Sequence, residues 1–313
     1  MLQNFIICCN SVVPSAIFLI VGITLKLCHI ITDAEVKRFT HIIFVTLYPF
    51  MMFDNLYGKA IGENLNALLV IYCVAFTAFQ IVSSWFVVCR IEPENYNRGP
   101  MIQATFRSNI VLMGLPVGIN LFGKGNVTAV AIVIMFVVPI YNAVSVVVLE
   151  HFRGGKANIP RTIKRVLMNP IIVGGIVAGI FMILGIKLPA SVYSAVQQLS
   201  DATAPLALIL LGAALDLSGF SSDRAKIAFC VIGKLVVFPL LGITGAVLLG
   251  IRDVNLIAVV LMIATPTALA SYAMASSMGG NGKLAGEAVV ISTIAACFTM
   301  PVWLFILKTL GYF

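Results

Sequence analysis

QATFRSNIVLMGLPVGINLFG, residues 103–123, and LMIATPTALASYAMASSMGG, residues 261–280, are apolar stretches that each carry a proline near the middle, among glycine, serine and threonine. A lipid-facing helix gains nothing from that composition. Proline removes a backbone donor and its ring clashes with the preceding turn. Unwound backbone survives at membrane depth only where protein or a water-filled cavity satisfies it. The two stretches are therefore expected to break at Pro116 and Pro266 and to cross inside the fold. Each break would leave a half-helix N-terminus, with its partial positive charge, pointing at the crossing, an arrangement suited to an anion.

Proline pairing extends along the whole chain. Pro14 and Pro170 are 156 residues apart, as are Pro49 and Pro205; Pro116 and Pro266 are 150 apart, and Pro139 and Pro301 are 162 apart. A spanning helix needs about 20 mostly apolar residues. The 313-residue chain divides into ten such stretches: 8–28, 38–57, 64–89, 100–122, 127–150, 166–186, 196–216, 225–250, 253–278 and 284–310. The paired prolines fall in stretches 1 and 6, 2 and 7, 4 and 9, and 5 and 10, so rank agrees with spacing. MFVVPIYNAVSVVVLE (135–150) and CFTMPVWLFILKTLGY (297–312) also share a layout. The expected fold is an all-α membrane protein with ten transmembrane helices in two inverted five-helix repeats. The repeats are residues 1–150 and 166–313, joined by loop 151–165, and the broken fourth and ninth helices cross at the midplane.

Composition supports the membrane reading. The chain is 60% apolar and only 10% charged, with a mean hydropathy of +1.06, whereas a soluble domain carries about a quarter charged residues. The net charge of +8 is spread over short loops with no basic helix, so no nucleic-acid partner is expected. It reads instead as topology, since short cytoplasmic loops collect Lys and Arg. Loops after odd-numbered stretches hold 13 of these residues, and loops after even-numbered ones hold Lys59, Lys124, Lys187 and Arg252. Both termini are thus expected outside the cell, with loop 151–165, HFRGGKANIPRTIKR, in the cytoplasm. The first stretch lacks a basic leader and a small-residue cleavage site, and reads as a retained helix.

Enzymatic chemistry has little support. The seven cysteines show no CxxC or Cys/His metal spacing, and His29, His41 and His151 form no triad or HExxH pattern, so no metal or cofactor is expected. GGNGKLAG (279–286) lacks P-loop spacing and reads as a turn, which argues against a primary pump. A channel wants a ring of equivalent pore-lining groups, and the two breaks are unlike. A secondary transporter working by alternating access is the leading reading, with a channel or sensor on the same fold as the alternative.

SNIVLMGLPVG, Ser108 to Gly118, resembles the fourth-helix signature of the auxin efflux carrier family, including its plant PIN-type members. PLALILLGAALDL (205–217) and the stretch ending in Pro301 resemble its bacterial branch, and the similarity spans essentially the whole chain. The resemblance implies a scaffold of helices 1, 2, 6 and 7, often a homodimer interface, and a transport domain of helices 3–5 and 8–10 that moves as an elevator. It also implies an organic-anion substrate, such as malate, malonate or an indole-type acid. Carried over by motif, Asn109 would bind the carboxylate. Gly114, Leu115 and Pro116 lie on one side of the site, and Thr265, Pro266, Thr267 and Ser271 on the other. The short central loop and Thr265-Pro266-Thr267 depart from the plant pattern.

Intramembrane charges are functional candidates because each must be paired or hydrated. Arg107 and Lys234 lie inside stretches 4 and 8, roughly 10–12 Å above the cytoplasmic edge at the rise of an α-helix. They read either as cations that draw in a carboxylate or as side chains that snorkel to headgroups. Asp54, Asp201, Asp216 and Glu287 lie outside both breaks, which argues against a sodium site. Glu287 reads as a proton-coupling candidate or as an i, i+4 partner of Lys283.

Overall fold

The structure of the protein, a computed structural model, describes residues 2–57, 66–123, 127–153, 168, 170–214 and 224–313. Asp216 and most of loop 151–165 lie outside these residues. The described chain is helical. Its helices are α1 (Leu2–Leu27), α2 (Asp33–Leu56), α3 (Ala67–Ile91), α4 (Asn95–Phe106), α5 (Leu115–Phe122), α6 (Thr128–Phe152) and α7 (Pro170–Ile183). They continue with α8 (Ala190–Ala214), α9 (Arg224–Ile232), α10 (Phe238–Leu248), α11 (Asp253–Ala264), α12 (Leu269–Ser277) and α13 (Gly282–Thr309). Ile110–Gly114 is a π-helical turn leading into α5, and Gly233–Val237 is another that joins α9 to α10.

By length and composition, Ala67–Ile91, Thr128–Phe152, Arg224–Leu248 and Gly282–Thr309 can each cross a bilayer. Polar residues at their edges set where the helices start. Thr32 and Glu35 form a capping box at the start of α2, and the Asn66 and Asn281 side chains accept the Leu69 and Leu284 N–H groups at the starts of α3 and α13. Each cap satisfies a donor that a helix end leaves open. Helix begins earlier than hydropathy alone suggests, at Asn95 and Ala190. NYNR and ASVY continue the helical backbone with polar side chains that an apolar window passes over.

Two groups of helices emerge from the packing. In one, α8 packs on α1 and α2, and α2 packs on α7. Glycine makes the α1–α8 contact possible, because a Cβ on Gly22 would overlap Ile209 O and one on Gly212 would overlap Leu19 O. Only glycine lets two backbones approach that closely. The other described helices, α3–α6 and α9–α13, form a second group. Its core includes the whole of Leu256–Ala264 in α11, buried on every side. A helix apolar all round is an interior helix. The groups meet where α1 packs on α13 and α5 and where α2 packs on α6; Leu19, Leu208 and Leu211 pack there with Met113, and Ile23 with Val289 and Val290, all apolar contacts.

Candidate substrate site

The chain unwinds twice in the second group, for different reasons. At Thr265-Pro266-Thr267 proline is the cause: the residue before a proline is driven from helical to extended backbone, and Thr265 sits at φ −69°, ψ 152°. At Arg107-Ser108-Asn109 no proline is involved. Arg107 is extended at φ −81°, ψ 112°, and Asn109 lies at φ −88°, ψ 48°. Ser and Asn offer the backbone alternative hydrogen bonds and so weaken helix locally.

Each extended segment supplies what the other lacks. Ser108 and Thr267 form an antiparallel bridge. The Asn109 N–H donates to Pro266 O at 2.8 Å, and the Ala268 N–H donates to Arg107 O at 3.2 Å. Thr267 is held further, its N–H donating to Ser292 Oγ (3.1 Å) and its hydroxyl to Ala104 O (2.7 Å). Backbone polar groups this deep must be paired within the protein.

The expected break at Pro116 needs correction. Pro116 lies in the first turn of α5, and the helix runs into it without interruption through the π turn. A π turn inserts one residue into the helix, which gives room for a ring that has no N–H to offer. Pro239 follows the second π turn in the same way. The helix start that faces the crossing is therefore at Asn109, which caps the π turn, and Leu115 and Pro116 stand off along the helix. Leu269, the start of α12, faces the crossing from the other side. Gly114 remains close to the crossing, since a Cβ there would lie 3.3 Å from both Thr265 Cγ2 and Leu261 O.

Both cations come to this bridge. Arg107 ends α4 inside the break and is buried. Its guanidinium donates to Asn142 Oδ1 (2.6 Å) and Ser145 Oγ (3.3 Å) and contacts Met274 Sδ (2.7 Å). Lys234 reaches in from the second π turn and donates through Nζ to Ser108 Oγ. Tyr141 also donates to Ser108 Oγ, at 3.5 Å. Neither cation snorkels to a headgroup. Among the described residues no carboxylate pairs with either one. Glu287 stays outside the bridge and pairs with Lys283 at 3.9 Å; it lies five residues before Ser292, about 7.5 Å along the helix.

A residue profile described as that of membrane transport proteins matches residues 7–304. The chain belongs to the membrane transport protein family. This transport protein is also similar to an uncharacterized transporter of Methanocaldococcus jannaschii, 21% identical over 299 residues that cover 93% of this chain and 96% of the relative. The family is the one that includes the auxin efflux carriers, and it is a family of transporters, not of enzymes. The transport protein is thus a multi-pass membrane protein.

Within the transport protein, Asn109 Nδ2 and the hydroxyls of Thr265, Ser271 and Thr293 are buried and have no hydrogen-bond partner. Buried polar groups are normally paired; these four lie on the two extended segments, on the first turn of α12 and beside Ser292, and Gln103 Oε1, one turn before Arg107, is open as well. Ser108, Tyr141, Asn142, Ser145, Ser292 and Thr293 belong to this constellation and escaped the sequence reading. The available signal was their polarity within otherwise apolar helices, with Tyr141, Asn142 and Ser145 following Pro139 on one stretch of α6.

Proposed function

We propose that this membrane transport protein is a secondary transporter of small organic anions, carboxylates such as malate or malonate or indole-type acids, which bind at the crossing of the two breaks. One observation carries the reading: the site around the Ser108–Thr267 bridge offers two buried basic side chains and unpartnered polar groups and, among the described residues, no carboxylate paired with either base. A carboxylate supplies the acceptors and negative charge that such a site lacks. In this reading Asn109, Thr265 and Ser271 hold the carboxylate, Thr267 and Pro266 shape the bridge, Gly114 admits the approach of α11, and Arg107 sets the positive field.

The alternating-access step follows from the packing. The apolar contact of Leu19, Leu208 and Leu211 with Met113 has no directional bond to fix its register, and packed helices slide most readily across such faces. The hydrogen bonds of Tyr57 with Leu188 and of Thr203 with Leu47 close within the first group, and those of Tyr72 with Gly242 and Trp303 with Leu235 within the second. We read the first group as scaffold and homodimer surface, and the second as an elevator-like transport domain. The five-plus-five inverted repeat with both termini outside is the topology that goes with this reading.

Binding tests it. Purified protein titrated with malate, malonate and indole-3-acetate is expected to bind at least one. Asn109→Ala is expected to remain folded and to bind that acid about 10- to 100-fold more weakly, the loss of one hydrogen bond to a charged partner. Unchanged affinity in Asn109→Ala would remove that residue from the site.

A further inference from the structure

Lys234 is 0% exposed, and of the three donors that an ammonium carries, one is used, on Ser108 Oγ. Arg107 is buried as well but differs in its partners and its chemistry. Three partners hold it, and a guanidinium keeps its charge throughout the range in which proteins stay folded. Tyr96 and Arg98 of α4, Arg224 and Lys226 of α9 and Lys308 of α13 lie toward helix ends, and the other titratable groups on the elements around Lys234 are few. Cys230, one turn earlier, has its thiol on Met101 O. Arg107 ends α4, and Tyr141 reaches Lys234 through Ser108. On α13 are Glu287, paired with Lys283, and Cys297, whose thiol is on Thr293 O. Asp253 stands at the opposite end of α11, and α10 has no titratable residue. None of these gives Lys234 a bonded negative partner.

A buried cation without a counter-ion is costly. Two events relieve that cost, arrival of an anion or departure of the proton, and a lysine permits both. We propose that Lys234 is a proton site linked to the anion: the empty crossing holds a neutral amine, and each anion enters with a proton. The lone pair of Nζ takes the proton and forms one N–H bond, no other bond changes, and the carboxylate meets the new charge. The protein is then an anion–proton symporter. This rests on the anion reading of the same site.

A route for the proton is present. Lys234 Nζ and Tyr141 Oη both donate to Ser108 Oγ, and the Tyr141 hydroxyl lies next to that of Thr77, which donates to Met262 Sδ at 3.9 Å. The Lys234–Ser108 bond can run either way, with Nζ donating to Ser108 when charged and accepting from it when neutral. Beyond Thr77, the buried face of α3 carries Gln80 and Ser84. Both amide atoms of Gln80 and the hydroxyl of Ser84 have no protein partner, the condition in which buried polar atoms take water.

Calorimetric titration of malate, malonate and indole-3-acetate, each in two buffers of different ionisation enthalpy at one pH, reads proton uptake on binding. The wild type is expected to take up a large fraction of about one proton per anion bound near pH 7.5. Lys234→Arg, whose charge is permanent, is expected to bind with no uptake. In proteoliposomes an inward proton gradient is expected to drive accumulation by the wild type and not by Lys234→Arg. Binding by the wild type without proton uptake, or uptake that persists in Lys234→Arg, overturns the proposal and leaves the anion site standing. Should Lys234→Arg fail to fold, the wild-type uptake alone decides. Failure of the wild type to bind any of the three acids overturns the anion reading and this proposal with it.

Discussion

Ser292 and Asn109 lie within one crossing and are expected to respond to mutation in opposite ways. The Ser292 hydroxyl accepts the Thr267 N–H and donates to Val289 O. Ser292→Ala would strand the buried Thr267 N–H, at a cost of about 1–3 kcal/mol, and is expected to lower the unfolding temperature measured without ligand. Asn109→Ala removes an amide nitrogen that has no partner, so its stability without ligand should be at least that of the wild type, with the defect confined to binding. At this scale the sequence was half legible. Pro266 could be placed in a break because its effect on Thr265 is local. The break at Arg107-Ser108-Asn109 could not, because that segment becomes extended only where Pro266-Thr267-Ala268 offers it backbone partners 157 to 161 residues away.

The helices were legible as apolar runs, and their internal departures were not. Pro116 looks like a break in the sequence, yet it follows a π turn that absorbs the ring, as Pro239 does, and nothing in a hydropathy pattern announces the extra residue. The contact between α1 and α8 is equally silent in the sequence, since Gly22 and Gly212 are two glycines among 25. Gly212→Leu is expected to abolish the folded state, seen as loss of a monodisperse purified protein, because its Cβ would fall on the Leu19 backbone and neither helix can retreat alone. A further contact joins α3, α4 and α9 at one end of the second group. Glu92, only 2% exposed, accepts from Lys226 Nζ (3.0 Å), the Glu94 N–H (3.0 Å) and Asn97 Nδ2 (3.2 Å). Burial works against its charge, but Lys226 and the two other donors outweigh it and hold the carboxyl below the usual range. Stability from a depressed carboxyl is present above the unfolded value, about 4.3, and is lost as pH falls through the folded one. Lys226→Met is therefore expected to bring the acid-induced fall in unfolding temperature to higher pH than in the wild type.

For the whole molecule, composition and hydropathy already required a membrane protein, and the family match over residues 7–304 makes it a transporter. The assembly of its site was less legible. Arg107 and Lys234 stand out in the sequence as intramembrane charges, but only the fold brings Lys234 to Ser108, and it leaves Glu287 with Lys283, one of the two readings its spacing allowed. A site with two basic side chains and, among the described residues, no acid paired with them is the main argument for an anion, and the apolar contact at Met113 is the argument for movement. Both meet in one measurement, counterflow of labelled malate in proteoliposomes, with malonate and indole-3-acetate as unlabelled competitors and Asn109→Ala as the control. The account predicts saturable exchange that at least one competitor suppresses and that Asn109→Ala loses. No exchange of malate and no binding of either competitor by folded protein, or exchange undiminished in Asn109→Ala, would contradict it.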